Sequence, residues 1–170
     1  ARRFKMIIGN GDIASVLEDR DDLLFFASGV SNSQETRESE YQREKDLLLE
    51  QDRKAHLVYF GSLAIFYTDN RYVQHKLEME ELIKQEFEHN TIVRIGNISW
   101  GVNPHTLINY LREHPEAEVR DEYRYVVDKD EFLHWVGMIP LRNCEMNIPG
   151  RRLKVKDIKD EYGHIGLHTK

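Results

Sequence analysis

Four short apolar runs constrain this chain more than any other feature: Phe4–Ile8 (FKMII), Leu23–Ala27 (LLFFA), His56–Phe60 (HLVYF) and Thr91–Ile95 (TIVRI). Each is a continuous block, not an alternation of apolar and polar residues. A strand reads this way when both of its faces are covered, as in a parallel sheet between two layers of helices. The intervening segments supply such helices. Asp12–Leu17 begins one, with Asp12 near its N-cap, while Glu35–Gln51 and Arg71–Phe87 form two longer ones. Leu77, Leu82 and Ile83 mark the expected buried stripe of the last. Strands alternating with helices define an α/β fold. Beyond Gly101 the pattern changes, with helices expected at Pro104–His114, Asp130–Ile139 and Val155–Tyr162 and strands at Glu122–Val127 and Glu145–Ile148. Residues 1–101 therefore form the core, and residues 102–170 a smaller region packed on the same domain. No repeat, low-complexity tract or Pro/Gly-rich linker divides them.

Composition narrows the function. Of 170 residues, 40% are hydrophobic and 10% aromatic, which suits a packed core and excludes a disordered chain. The net charge of −6, with scattered lysines and arginines, disfavours nucleic acid as a partner. Arg151, Arg152, Lys154 and Lys156 read as a solvated turn and strand. Cys144 is the single cysteine, so no internal disulfide can form and a reducing, cytoplasmic setting is expected. No apolar run approaches the length that spans a bilayer, and Ala1–Phe4 reads as the start of a strand and not as a signal peptide. His164 and His168 share a helical spacing but lack a third ligand, so no metal site is expected. His75 is expected on a different helix face from its neighbours Tyr72 and Lys76. Glu38–Glu50 reads as a solvated charged face, and Phe132 with Trp135 as core.

Two short patterns carry chemistry. Gly9-Asn10-Gly11-Asp12-Ile13-Ala14 is a G-x-G-x-x-A turn between a strand and a helix. Small residues there permit the tight turn, let a pyrophosphate approach the backbone, and let helix and strand pack closely. A plain βα turn has the same sequence requirements. Tyr72 and Lys76 form a Y-x-x-x-K pair one helical turn apart. An ammonium beside a phenol favours the phenolate, and a phenol tuned in this way can exchange a proton with a substrate hydroxyl. Ser62 closes the neighbouring strand, where its hydroxyl would hold the same oxygen. An ordinary surface Tyr/Lys pair would look identical in isolation.

Taken in order, these and further segments resemble the extended short-chain dehydrogenase/reductases, the NAD-dependent epimerase/dehydratases of nucleotide sugars. Phe26-Ala27-Ser28-Gly29 stands where that family has its H-x-A-A cofactor loop. Ser62-Leu63-Ala64-Ile65-Phe66 resembles S-x-x-V-Y, and Tyr72/Lys76 follow on the next helix. Arg94–Gly101 (RIGNISWG) resembles R-x-x-N-x-x-G, Arg124–Asp130 (RYVVDKD) resembles R-D-F-I-H-V-x-D, and Met146–Gly150 (MNIPG) resembles N-I-G-x-G. The resemblance implies a reduced Rossmann-like, mostly parallel sheet with NAD or NADP as cofactor and a nucleotide sugar as substrate. It implies Ser62, Tyr72 and Lys76 as the catalytic set. Gly9, Asn10, Gly11, Asp12, Ile13, Ala27, Ser28, Gly29, Tyr72, Lys76 and Asn97 would meet the cofactor. Asn97, Trp100 and Arg124 would meet the substrate, with Arg124 on the diphosphate. It also implies a homodimer through the helices near 35–51 and 71–87.

The resemblance fails in particular places. Only about a dozen residues separate Gly11 from Leu23, enough for one short helix, so the second and third strands of the usual order are missing. With them goes the acidic residue that would hold the adenosine ribose. Asp21 and Asp22 lie at a similar distance from the turn but precede LLFFA and read as loop residues. Ile8 replaces the first glycine of G-x-x-G-x-x-G. Ser62 and Tyr72 are unusually close in sequence, and the asparagine expected on the preceding helix has no counterpart in Ser39–Leu49. These losses keep two other readings open: a non-catalytic pseudoenzyme or assembly module, and a binder of a single nucleotide or nucleotide sugar.

Overall fold

The computed structural model describes residues 6–164. The expected strand start at Phe4 and the residue His168 lie outside that range. Five strands form a wholly parallel sheet: β1 (Ile7–Ile8), β2 (Leu24–Phe26), β3 (Leu57–Ser62), β4 (Asn90–Ile95) and β7 (Cys144–Ile148), in the order β1-β2-β3-β4-β7. A smaller sheet joins β5 (Asn97–Ile98), β6 (Tyr123–Val127) and β8 (Arg151–Lys154). Its β6–β8 pair is antiparallel. The strand β5 was not foreseen, because two residues give no periodicity to read.

The apolar blocks are buried on both faces. Leu24, Phe26, Leu57, Tyr59 and Ile92 point to one side, and Phe25, Val58, Phe60 and Val93 to the other. The first side is covered by α1 (Glu38–Leu49) and α2 (Arg71–Glu86) through Leu48, Met79 and Ile83. The second is covered by α4 (Lys129–Val136) through Phe132 and Val136, together with Ile13, Val16 and Leu17. A third cluster packs α3 (Leu107–Glu113) and α5 (Val155–Tyr162) on Val126 of the small sheet. Asn70 starts α2 by accepting the Val73 N–H at 2.9 Å, and Thr106 starts α3 by accepting that of Asn109 at 3.2 Å.

The expected helix at Asp12–Leu17 is absent; a single 3-10 turn, Ala14–Val16, takes its place. The chain must return from the end of β1 to the start of β2 within a few residues, and an α-helix would spend them too slowly. This short connection lies on the α4 face, whereas α1 and α2 lie on the other. Every step from β1 to β4 moves one strand in the same direction. The first connection therefore has the opposite hand to the next two, a rarity for parallel strands. Removing two strands from the order 3-2-1-4-5-6 leaves this arrangement, with β1 at the edge.

Three side chains depart from expectation. Leu77 is 44% exposed; the buried stripe of α2 runs through Val73, Lys76, Met79, Glu80 and Ile83. Trp135 is also exposed, although Phe132 is fully buried. Glu44 is fully buried within the otherwise solvated charge run of α1. No helix among the described residues is long and apolar enough to cross a membrane.

Candidate functional site

The C-terminal ends of β1 to β4 open onto one edge of the sheet, the side on which parallel α/β sheets bind ligands. Most of the residues singled out from sequence gather there. Ala27 N–H donates to the Ile8 carbonyl at 2.8 Å, so the Gly9–Gly11 turn and the Ala27–Gly29 loop lie side by side. Ser62 is in register with Ile95, just before Asn97. Its Oγ accepts the Ala64 N–H at 3.0 Å and starts the 3-10 turn Leu63–Phe66.

Tyr72 and Lys76 share the face of α2 that looks toward this edge. The Lys76 Nζ lies 5.5 Å from the Tyr72 ring centroid and 5.1 Å from that of Tyr59. Lys76 is 3% exposed, and its ammonium makes no hydrogen bond within the described residues. It faces Gly29: a methyl group built on Gly29 would stand 2.7 Å from Nζ.

Behind Lys76 lies a polar cluster that the sequence did not disclose. Glu44 Oε1 accepts the Val30 N–H at 2.8 Å and the His75 Nε2–H at 2.9 Å, and Oε2 accepts the Tyr59 hydroxyl at 2.8 Å. Burial acts to raise the Glu44 carboxyl, but the nearby Lys76 charge and these donors outweigh it and hold it at about 2. Burial and the Glu44 charge together push the Tyr59 phenol well above its ordinary range, so it remains a donor. Because an ionised carboxylate only accepts, His75 Nε2 carries the proton; Nδ1 is left without a partner, its ring packed on Tyr41. His75 thus turns into the same buried cluster as Lys76, contrary to its expected placement on a separate face. The sequence held one signal: Tyr41, Glu44 and Leu48 fall on one helical stripe.

The glycine turn is held differently from expectation. Without a following α-helix it gains no stack of helical N–H groups. The Asp12 carboxylate instead accepts the N–H groups of Val102 and Asn103 at 2.9 and 3.0 Å, and the Asp12 carbonyl accepts Trp100 Nε1–H at 3.0 Å. Gly101 has φ +102°, and a methyl group there would overlap the Asp12 carboxylate. Trp100 also packs at a tilt against Phe132, with centroids 5.3 Å apart. The turn at β1 is therefore latched to the loop after β5.

On the far side, Asn97 Nδ2 donates to the Tyr125 carbonyl at 2.9 Å. The Arg124 guanidinium donates to Glu122 at 2.9 Å and lies 4.9 Å from the Tyr67 ring centroid. Burial pushes the Tyr67 phenol up, while Arg124 and Asn97 beside it act in the other sense. Tyr67 carried no motif and was missed. Arg94, which opens the R-x-x-N segment, is closed onto Glu80 at 2.6 Å and ties β4 to α2. Among the described residues no three His, Cys, Asp or Glu side chains converge as a metal site.

This architecture matches solved structures that include UDP-sugar 4-epimerases and a putative NAD-dependent epimerase/dehydratase. The Thermotoga maritima UDP-glucose 4-epimerase with UDP-glucose superposes with a TM-score of 0.60 at 16% identity, over 90% of this chain and 64% of that one. The Bordetella bronchiseptica enzyme WbmG in complex with NAD gives 0.59 at 12%, over 86% and 57%. CapF, a capsular polysaccharide assembling protein of Staphylococcus aureus, gives 0.54 at 16%, over 84% and 44%. The chain spans less than two thirds of each. At such identities the likeness defines the fold: a five-stranded, partial Rossmann-like sheet. No protein-family model and no curated protein matches the sequence.

Proposed function

We propose that the chain binds an NAD-type dinucleotide along the C-terminal edge of its main sheet and acts on a nucleotide-linked sugar. The observation that carries this reading is Lys76. A lysine 3% exposed, whose ammonium has no hydrogen-bond partner among the described residues and faces a glycine loop, is placed to give its protons to a ligand. Ribose hydroxyls would do so. NAD-bound WbmG and the UDP-glucose-bound epimerase have the same fold, which supports the two ligand classes. Within this reading Ser62, Tyr72 and Lys76 are the catalytic set. Tyr72 Oη takes or returns the proton of a sugar hydroxyl, with Lys76 beside its ring and Ser62 orienting the same oxygen. When bound, the nicotinamide would supply the hydride acceptor. Gly9, Asn10, Gly11, Ala27, Ser28 and Gly29 would line its path, with Asp12 and Ile13 at the turn; Asn97, Trp100 and Arg124 would shape the substrate side.

The test is binding and turnover together. NADH titrated into the protein is expected to bind, as read by calorimetry. Tyr72→Phe should leave that affinity within about twofold and lower turnover of a UDP-sugar by roughly a hundredfold or more. A wild-type protein that binds neither NADH nor NADPH at millimolar concentration rules the reading out.

The second reading is a non-catalytic module that retains the fold, and the Asp12 latch favours it. A carboxylate held at the glycine turn sets negative charge where a pyrophosphate would approach. If Tyr72→Phe changes no activity and UDP-sugars bind without dinucleotide, this second reading stands.

A further inference from the structure

A second buried cationic group on α2 and β4 shows what is unusual about Lys76. Arg94 closes directly on Glu80 and gives a further donor to Glu145 at 3.4 Å. Lys76 does not close on its carboxylate. Both Glu44 oxygens are already occupied by the donors of Val30, His75 and Tyr59. Gly29 lies against both groups: its missing methyl would stand 2.7 Å from Nζ and 3.4 Å from Glu44 Oε1.

We propose that Glu44 is the positioning residue of this site: its buried carboxylate supplies the counter-charge that holds the Lys76 ammonium inside with its donors unspent, and fixes the Gly29–Val30 loop to the same point. An isolated buried ammonium is strongly disfavoured, so Lys76 needs a compensating charge to remain. A direct ion pair would satisfy that need but consume a donor and draw Nζ toward α1. A carboxylate engaged by three other donors and not in hydrogen-bond contact with Nζ compensates through its field. The Lys76 ammonium, without an acceptor among the described residues, then stands against the Gly29 loop, open to an incoming ligand. Through Val30, the same carboxylate sets the distance between that loop and α2. The functional consequence rests on the dinucleotide reading; the charge pairing does not.

Two measurements test this. The first is a double-mutant cycle on stability with Glu44→Gln, Lys76→Met and the double variant. Glu44→Gln sets an amide donor among three donors, so it destabilises for local reasons, and the cycle subtracts that cost. The double variant is expected to exceed the additive value by roughly tenfold in its folding equilibrium constant. The second is reductive methylation mapped by mass spectrometry. Lys76 should label at least about tenfold more slowly than exposed Lys129 in the wild type, and at a comparable rate in Glu44→Gln. NADH affinity should fall about tenfold in Glu44→Gln. An additive cycle, or a Lys76 that stays protected in Glu44→Gln, overturns the proposal. If Glu44→Gln does not fold but the double variant does, that rescue supports it; if neither folds, the carboxylate serves something other than Lys76 and the proposal fails. A wild type that binds no NADH removes the dinucleotide reading and leaves the cycle and the labelling to decide the role of Glu44.

Discussion

At the scale of single residues, charge burial and backbone strain make the sharpest predictions. Glu44 is held at about 2 in the folded protein against an ordinary 4.5. A depressed carboxyl contributes stability that is present above its unfolded value and lost as pH falls toward the folded one. That contribution, about 3 kcal/mol, should disappear between roughly pH 4.5 and 2. His56 is depressed too, chiefly by burial and then by its stacked neighbour His89. A histidine kept neutral in the fold costs stability once the unfolded chain takes up a proton, so a first decline should begin as pH falls below about 6.5. Denaturant midpoints measured across pH 8 to 3 should therefore drop in two stages, and His56→Gln should flatten the first. Gly101→Ala adds a methyl group where φ is +102° and the Asp12 carboxylate already stands. Unfolding in urea should show a loss of about 3 kcal/mol. Glu44 itself was legible only as a carboxylate on an apolar stripe, because the sequence cannot show which donors a buried oxygen will meet.

At the scale of elements, the helices divide by what covers them. On α2, the inward face carries Val73, Met79 and Ile83 against the sheet, with Lys76 and Glu80 buried among them. Sequence periodicity assigned Leu77 to that face; the actual rotation of α2 puts Leu77 outside, with Glu80 paired to Arg94 and Lys76 near the Glu44 charge within. Leu77 on α2 and Leu49 on α1 are the large apolar side chains these helices leave exposed. Leu77 lies on the helix pair through which the resemblance implies that two copies would meet. Light scattering should find a dimer for the wild type and a monomer for Leu77→Glu, with thermal stability of the separated chain otherwise little changed. The connection after β1 shows the opposite limit. Its sequence resembles a helix start, yet the distance to β2 allows only Ala14–Val16 to coil. Propensity yields where chain length fixes the path.

For the whole molecule, the strands and their parallel pairing followed from four apolar blocks and the helices between them. Covered on both faces, such strands admit few other arrangements. The missing strands were legible as well, because a dozen residues between Gly11 and Leu23 cannot hold two strands and a crossover. The bounds of α5 and the start of α2 were read to the residue, since a charged amphipathic run and a side-chain cap mark them locally. Local sequence thus determined most of the elements and the class of sheet, and the resemblance pointed to Gly9, Ser62, Tyr72 and Lys76 at one edge. Only the tertiary structure decided how charge is arranged there. It joined Glu44 to Val30, Tyr59 and His75, latched Asp12 to the Gly101 loop, and left Lys76 without an acceptor among the described residues. The physical reason is range: hydrophobic periodicity is a property of neighbouring residues, whereas a buried charge is settled by groups brought from distant parts of the chain.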